Sequence, residues 1–336
     1  MRPLALFTLA FLIPSAAMAQ TAGDVVYKRC EDAKGSLDQI VATCADSLKE
    51  KTLTVRARAR IHAIRGNAYR NGGDLRKAMS EYDESVRIDP KYSFGYNNRG
   101  AMWNAVGEPR KALVEFGKAI HLDPTNAVFF RNRSGTWERL GDGNKAMADL
   151  SEAIRLGPPA SDAYQNRAVM WSARGYFERA IADNDEAIRI DPRNHQAFNN
   201  RGAVWLKRGD GAKAMADFDA AIKIWPEFPM ALMNRGNEWN RTGKYDRAIA
   251  DFDLALRGAP EFPDALHGRA VAWVNKGELD KALADFNEAI RLRPNDAMEY
   301  LFRAEVWRGK GNSEREEVDK AQAYRLDPKL KPVRAK

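Results

Sequence analysis

The sequence predicts an all-α fold, a right-handed α-solenoid superhelix built from stacked antiparallel helix pairs. A proline recurs at a constant interval along most of the chain. Midway through each period stands a glycine, and an aromatic residue precedes that glycine by about one helical turn. A period of this length indicates one helical hairpin per repeat, because such hairpins bury their apolar faces only by stacking. The prolines are Pro90, Pro124, Pro158, Pro192, Pro226, Pro260, Pro294 and Pro328.

The composition argues against several functional classes. The 336 residues have a formal net charge of +8, with 44% hydrophobic and 30% charged residues, which is enough apolar material for a core. Two cysteines and four histidines, without a CxxC or HExxH motif, are too few for a zinc module. The histidines occupy unrelated repeat positions, and no nucleophile elbow, P-loop or dinucleotide motif occurs. The sequence therefore predicts neither an enzyme nor a metal or cofactor site.

The first predicted element is a cleaved secretory signal over residues 1–19. A positive residue precedes an apolar run over 4–13, and Ala17 and Ala19 are the small residues before a cleavage site at Gln20. The alternative is an uncleaved membrane anchor, although the run is shorter than the roughly 20 residues that span a bilayer. We therefore expect an exported protein, periplasmic or secreted, without a membrane span after cleavage.

Residues 20–58 are predicted to form a divergent N-terminal hairpin. If this unit begins at Thr21, Gly35 takes the place of the repeat glycine and Cys44 falls in the second helix. Cys30 then lies near the end of the first helix, opposite Cys44, and an oxidising compartment favours their oxidation. The sequence predicts a disulfide between Cys30 and Cys44, with two free buried thiols as the alternative.

Residues 59–330 contain eight repeats, numbered so that the recurring proline is position 32. Positions 4, 8 and 11 share one face of a first helix, helix A, and the glycine at position 15 ends it. A residue at position 16 caps a second helix, helix B, which packs through positions 20, 21, 24, 27 and 28. The repeats begin at Ala59, Ser93, Ala127, Ser161, His195, Pro229, Pro263 and Ala297. Residues 331–336 are expected to form a basic tail.

The repeat resembles the tetratricopeptide repeat. The match includes a large side chain at position 4, as in Tyr96, a small residue at position 8, as in Gly100, and an aromatic residue at position 11. The match also includes alanine at positions 20 and 27, an aromatic residue at position 24 and the proline at position 32. Position 11 is tryptophan in seven repeats, and we expect these rings in the core. The resemblance covers residues 59–330 and implies a non-enzymatic scaffold that binds a protein or peptide segment in a concave groove.

Two charged columns depart from this family's usual pattern. Position 7 is arginine and position 23 is acidic in all eight repeats. The two positions lie on facing helices of one hairpin, and a partly buried guanidinium needs a carboxylate, so we expect an ion pair inside each repeat. The alternative is a basic ladder for anionic ligands. The predicted pairs include Arg99 with Glu115, Arg133 with Asp149, Arg167 with Asp183, Arg201 with Asp217, Arg235 with Asp251 and Arg269 with Asp285.

The face of helix A opposite the core is the predicted binding surface. Position 6 on this face is asparagine in five consecutive repeats and resembles the family's groove asparagines, which hold an extended peptide backbone. The alternative is that asparagine is simply common at this position of the consensus. The asparagine row consists of Asn98, Asn132, Asn166, Asn200 and Asn234. Its predicted surroundings are basic at Arg131, Arg139, Lys207 and Arg241 and apolar at Met230 and Met233.

These features favour a protein–protein interaction scaffold whose partner is a protein or peptide. The charges recur in fixed repeat positions, so the net positive charge is a property of the scaffold, and nucleic acid is not expected as a partner. The alternative is a protein that binds an envelope polysaccharide or another polyanion through its basic surface. An enzyme is the least favoured function.

Overall fold

The computed structural model describes residues 26–331, which form helices and the turns between them. The predicted signal over residues 1–19 and residues 332–336 of the predicted tail lie outside the described residues. Two compact units divide the chain, one ending at Pro159 and one beginning at Ala160. Within residues 26–331, no helix combines the length and the apolar character needed to cross a membrane.

The helices follow one another in pairs. In the unit that ends at Pro159, α1 includes residues 26–31, and it precedes α2 (Leu37–Leu48), α3 (Val55–Asn71), α4 (Leu75–Ile88), α5 (Ser93–Ala105), α6 (Pro109–Leu122), α7 (Ala127–Arg139) and α8 (Gly143–Leu156). The unit that begins at Ala160 contains α9 (Ser161–Ala173), α10 (Phe177–Ile190), α11 (His195–Lys207), α12 (Gly211–Ile224), α13 (Pro229–Arg241), α14 (Tyr245–Gly258), α15 (Pro263–Asn275), α16 (Leu279–Leu292), α17 (Ala297–Gly309) and α18 (Ser313–Leu326). A short 3₁₀ helix covers Pro328–Leu330.

Each repeat is a hairpin whose helix A and helix B pack against each other. The glycine at position 15 has φ between +72° and +83° in all eight repeats. This left-handed conformation favours glycine because a Cβ would clash with the backbone. Asp74, Asp142 and Asp210 at position 16 each accept a hydrogen bond from a backbone N–H in the first turn of helix B, which is the N-cap arrangement expected of aspartate.

Small residues allow the two helices of a hairpin to approach closely. A Cβ added to Gly202 at position 8 would lie 2.7 Å from the Phe218 ring at position 24. Phe218 and Ala214 are completely buried, as are the equivalent Phe252 and Ala248 of the next repeat. The spacing of small and aromatic residues in the sequence therefore corresponds to direct contact across each hairpin.

The N-terminal hairpin is joined by a covalent bond and continues into the first repeat. Cys30 and Cys44 form a disulfide with a Cα–Cα distance of 4.7 Å, and both residues are buried. Helix α3 begins at Val55, ahead of the start predicted for the first repeat at Ala59. The predicted boundary between residues 58 and 59 therefore falls inside a helix, because Thr54 caps α3 by accepting from the backbone of Ala57.

The tryptophan rings lie at the edge of the core. All seven rings at position 11 are half-buried, and the cation at position 19 of the same hairpin lies over each of them. Lys213 Nζ is 4.3 Å from the centroid of the Trp205 ring, and Lys281 Nζ is 4.4 Å from that of Trp273. Trp171, Trp205, Trp239, Trp273 and Trp307 pack against core clusters, but the cation over each ring leaves its outer face without apolar cover.

Candidate functional site

In each hairpin the arginine at position 7 binds the carboxylate at position 23. The closest nitrogen–oxygen distances are 2.6 to 2.8 Å. Asp217 is only 5% exposed, and its hydrogen bond to Arg201 raises the pKa of that guanidinium against the opposing effect of burial. The pairs are Arg65–Glu81, Arg99–Glu115, Arg133–Asp149, Arg167–Asp183, Arg201–Asp217, Arg235–Asp251, Arg269–Asp285 and Arg303–Asp319. This column is therefore part of the scaffold and presents no ladder of unpaired cations.

Several of the same arginines also bind the preceding hairpin, which the sequence analysis did not predict. Arg235 Nη1 lies 2.6 Å from Asp219, and Arg269 Nη1 lies 2.6 Å from Asp253. These acids occupy position 25 of the preceding repeat, so one guanidinium joins two hairpins. The sequence pattern that could have predicted these contacts is a second acidic column, at position 25 of the repeats that precede these arginines.

Two further basic columns also have local partners. Besides lying over an aromatic ring, Lys145 at position 19 pairs with Asp142 at a distance of 2.8 Å. At position 29, Arg291 pairs with Glu288 at 2.7 Å, and the hydrogen bond to Arg291 lowers the pKa of Glu288. Equivalent pairs at positions 26 and 29 are Arg87–Glu84, Arg155–Glu152 and Arg189–Glu186. Much of the positive charge is thus balanced within the repeat that carries it.

The asparagine row in the unit that ends at Pro159 is part of a hydrogen-bond chain. Asn132 on α7 donates to Asn97 Oδ1 on α5 over 2.8 Å. Asn97, which is buried, donates in turn to Asn98 Oδ1 over 3.2 Å. The amide nitrogen of Asn132 is therefore engaged in joining two A helices.

The asparagine row in the unit that begins at Ala160 contains two kinds of amide. Asn234 on α13 donates to Asn199 Oδ1 on α11 over 2.9 Å and repeats the arrangement of Asn132 with its neighbour. Asn166 is exposed and Asn200 is half-buried. Neither of these two side chains makes a hydrogen bond within residues 26–331, so both amides are available to a ligand.

The basic residues predicted beside the row have different surroundings. Arg139 donates to a backbone carbonyl at the end of α5 over 2.6 Å, and Lys207 donates to a serine hydroxyl on α9 over 3.2 Å. Arg241 pairs with the buried carboxylate of Glu238 at 2.5 Å. Arg131 is half-buried on α7. Arg139, Lys207 and Arg241 therefore each have a partner on or between A helices.

The two predicted methionines do not lie in the same environment. Met230 is 43% exposed at the start of α13, whereas Met233 is only 9% exposed. Met233 belongs to a core cluster with Phe252 and Ala265. The assignment of Met233 to the binding surface is therefore wrong, because position 5 of this repeat faces the next helix.

A cavity of about 510 Å³ lies between α1, α3 and the start of α5. We call it the N-terminal cavity; its lining includes Glu31, Arg60, Ile64, Asn67, Phe94 and Asn98. The volume is in the range of sites that bind small ligands or single side chains. Of the predicted site residues, only Asn98 lines this cavity.

Two of the four histidines pair with a carboxylate. His62 Nδ1 is 2.8 Å from Glu81, and His267 Nδ1 is 3.1 Å from Glu299. In the part of the chain that the structure describes, no three His, Cys, Asp or Glu residues are grouped so that they could hold a metal ion.

Comparison with known proteins places this architecture in a family. Tetratricopeptide repeat profiles match residues 59–92, 172–229 and 233–297. No curated protein sequence matches the chain. A chain of the APC/C hetero-tetramer Cut9–Hcn1 is similar with a TM-score of 0.65 and 15% identity, over 87% of this chain and 56% of that chain.

Two bacterial structures are also similar. A tetratricopeptide repeat protein from Parabacteroides merdae gives a TM-score of 0.58 at 18% identity, over 77% of this chain and 98% of its own. PilF from Pseudomonas aeruginosa gives a TM-score of 0.57 at 19% identity, over 63% and 97%. At these identities the similarity concerns the fold alone. The repeat profiles and the regular helix pairs show that the chain contains tetratricopeptide repeats.

Proposed function

We propose that this chain is an exported scaffold that binds an extended peptide or protein segment along the A helices. The tetratricopeptide fold supports a protein–protein interaction scaffold. The observation that carries the peptide part of the proposal is the pair of unengaged amides of Asn166 and Asn200, on consecutive A helices of one unit. An amide both donates and accepts, so it can bind a peptide bond without selecting the side chain.

The alternative, binding of a polyanion, has less support. Such a ligand needs cations without partners, and the columns at positions 7, 19 and 29 are largely paired with acids or lie over aromatic rings. Polyanion binding would weaken steeply as salt screens the charges, whereas amide contacts would change little.

Affinity measurements with Asn166→Ala combined with Asn200→Ala test the proposal. The probe is a random library of N-acetylated dodecapeptides, from which binders of the unaltered chain are selected and titrated. Losing two amide contacts of about 0.5 to 1.5 kcal/mol each should weaken binding about tenfold. The melting temperature should stay unchanged, because these side chains bond to nothing else in the described residues.

Two control variants separate the possible outcomes. Asn295→Ala, at an exposed asparagine in the loop before α17, should bind normally. Lys213→Gln combined with Lys281→Gln should also bind normally under the peptide proposal. Normal binding by the asparagine variant, together with loss in the lysine variant, would overturn the peptide proposal in favour of a polyanion.

Export is the second part of the proposal. It rests on the signal pattern over residues 1–19, and the disulfide between Cys30 and Cys44 is consistent with it, because such bonds persist mainly in oxidising compartments. Intact-mass analysis of the chain recovered from outside the cytoplasm should give Gln20 as the first residue. Retention of Met1 would contradict cleavage.

A further inference from the structure

The N-terminal cavity contains two opposite charges that lack an ion-pair partner. Arg60 on α3 and Glu31 on α1 both line it. Neither side chain makes an ion pair or a hydrogen bond with any residue in 26–331, in contrast to the paired columns of the repeats. The two charges do not pair with each other either, so the cavity separates a cation from an anion.

An aromatic ring contacts the Arg60 guanidinium. The Arg60 guanidinium lies 3.8 Å from the centroid of the Tyr27 ring, close enough for a cation–π contact. Tyr27 lies one helical turn before Glu31 on α1, and it belongs to the core cluster that contains the disulfide. Both charges are therefore positioned by the disulfide-linked N-terminal hairpin, which precedes the eight repeats.

Apolar side chains also line the cavity. Phe94 at the start of α5 is 38% exposed, and its ring meets Phe129 edge to face at a centroid distance of 5.0 Å. Ile64 and the buried Ala63 line the cavity from α3. A ligand in the cavity would exchange water for these apolar surfaces.

Two asparagine amides add hydrogen-bond donors. The Tyr82 hydroxyl donates to Asn67 Oδ1 over 2.7 Å, and Asn97 donates to Asn98 Oδ1 over 3.2 Å. The amide nitrogens of Asn67 and Asn98 are thereby left to donate, both from residues that line the cavity.

The other charged groups of the lining are already satisfied. Arg56 donates to Asp89 and to the Lys91 carbonyl, and Asp123 accepts from Thr125 over 2.9 Å. Only Arg60 and Glu31 thus remain to select a ligand by charge. A complementary ligand has an anion for Arg60, a cation for Glu31 and an apolar group for the apolar part of the lining.

We propose that the N-terminal cavity binds a peptide segment that carries an acidic, a basic and an apolar side chain. This inference rests on the proposed function, because it assigns side-chain selectivity to the same class of ligand. The cavity selects among peptide segments by their side chains, whereas the amides of Asn166 and Asn200 bind a main chain without selecting a side chain.

The test uses the full chain and a positional-scanning library of decapeptides that are N-acetylated and C-amidated, so that no terminal charge contributes. The unaltered chain should prefer aspartate or glutamate over the amides at one position, and lysine or arginine over methionine at another, each by about tenfold. Arg60→Gln should abolish only the acidic preference, and Glu31→Gln only the basic one. Arg76→Gln, at an exposed arginine of α4 outside the cavity, should retain both.

Other results would contradict either this inference or the proposed function, and the experiment distinguishes the two. Binding of peptides without either preference, or preferences that survive Arg60→Gln and Glu31→Gln, would overturn this inference and leave the proposed function intact. Binding of a matched library with free C-terminal carboxylates, without binding of the amidated library, would overturn it as well. Absence of binding to any peptide would contradict the proposed function itself. Arg60→Lys, which keeps the charge, together with melting curves of all variants, separates loss of the charge from loss of folding.

Discussion

The arginine at position 7 allows buried acids to be tolerated between the helices of each hairpin. A carboxylate as buried as Asp217 is costly to desolvate alone, and a guanidinium with a planar fork can satisfy both of its oxygens. Arg201 donates from Nε and Nη2 to the two oxygens of Asp217. The same two-oxygen geometry recurs at five other arginines, namely Arg133, Arg167, Arg235, Arg269 and Arg303.

Removing one member of this pair should cost more than removing both. Arg201→Leu leaves Asp217 buried without its cation, and we expect a loss of about 3 kcal/mol in the free energy of unfolding. Asp217→Asn in the same chain should recover part of it, because a neutral amide is cheaper to bury. Urea unfolding of the four members of this double-mutant cycle measures the coupling. Strictly additive losses would show that the two side chains do not interact energetically.

The sequence predicted the contacts that lie inside one repeat far better than those between repeats. Spacing within a single repeat reports which side chains face each other across a hairpin, as for Gly202 and Phe218 or Arg201 and Asp217. The contact of Arg235 with Asp219 depends on how one hairpin stacks on the next, which periodicity alone does not determine. The half-buried position of Trp205 was missed for another reason, since a cation and an apolar residue can both cover an aromatic face.

At the scale of the element, the N-terminal hairpin depends on its disulfide. Helix α2 is only 12 residues long, and helices of this length are marginal without tertiary contacts. The bonded cysteines form a small core with Tyr27 and Ile61. The bond also restricts the unfolded chain, because it closes a loop between residues 14 apart in sequence.

Cys30→Ser combined with Cys44→Ser should destabilise this hairpin by about 3 kcal/mol in the chain-entropy account of disulfides. Hydrogen exchange should accelerate in α2 and remain unchanged in the hairpin of α15 and α16, which serves as the internal control. Reduction of the unaltered chain should reproduce the effect. Equal protection of α2 in the oxidised chain and in the double variant would contradict a stabilising role for the bond.

At the scale of the whole molecule, the stability of a repeat protein depends on the coupling between neighbouring hairpins. The arginines at position 7 provide one such coupling where position 25 of the preceding repeat is acidic, as with Arg99 and Asp83 at 3.0 Å. Arg133 lacks this second acid, because position 25 of the preceding repeat is Gly117. The contact between the hairpins of α5–α6 and α7–α8 is therefore missing one ion pair that other junctions have.

Gly117→Asp should supply the missing pair and stabilise the junction. A Cβ at this position meets no heavy atom within 4 Å, so the side chain fits, and replacing glycine within α6 also favours the helix. Gly117→Ala separates the two effects, because alanine is the better helix former and carries no charge.

We expect an ion pair of about 0.5 to 1 kcal/mol to bring Gly117→Asp to at least the stability of Gly117→Ala in low salt. This gain should shrink in 1 M NaCl and disappear when Arg133→Gln is added. If Gly117→Asp stays less stable than Gly117→Ala to the same degree with and without Arg133→Gln, the arginine does not couple these hairpins.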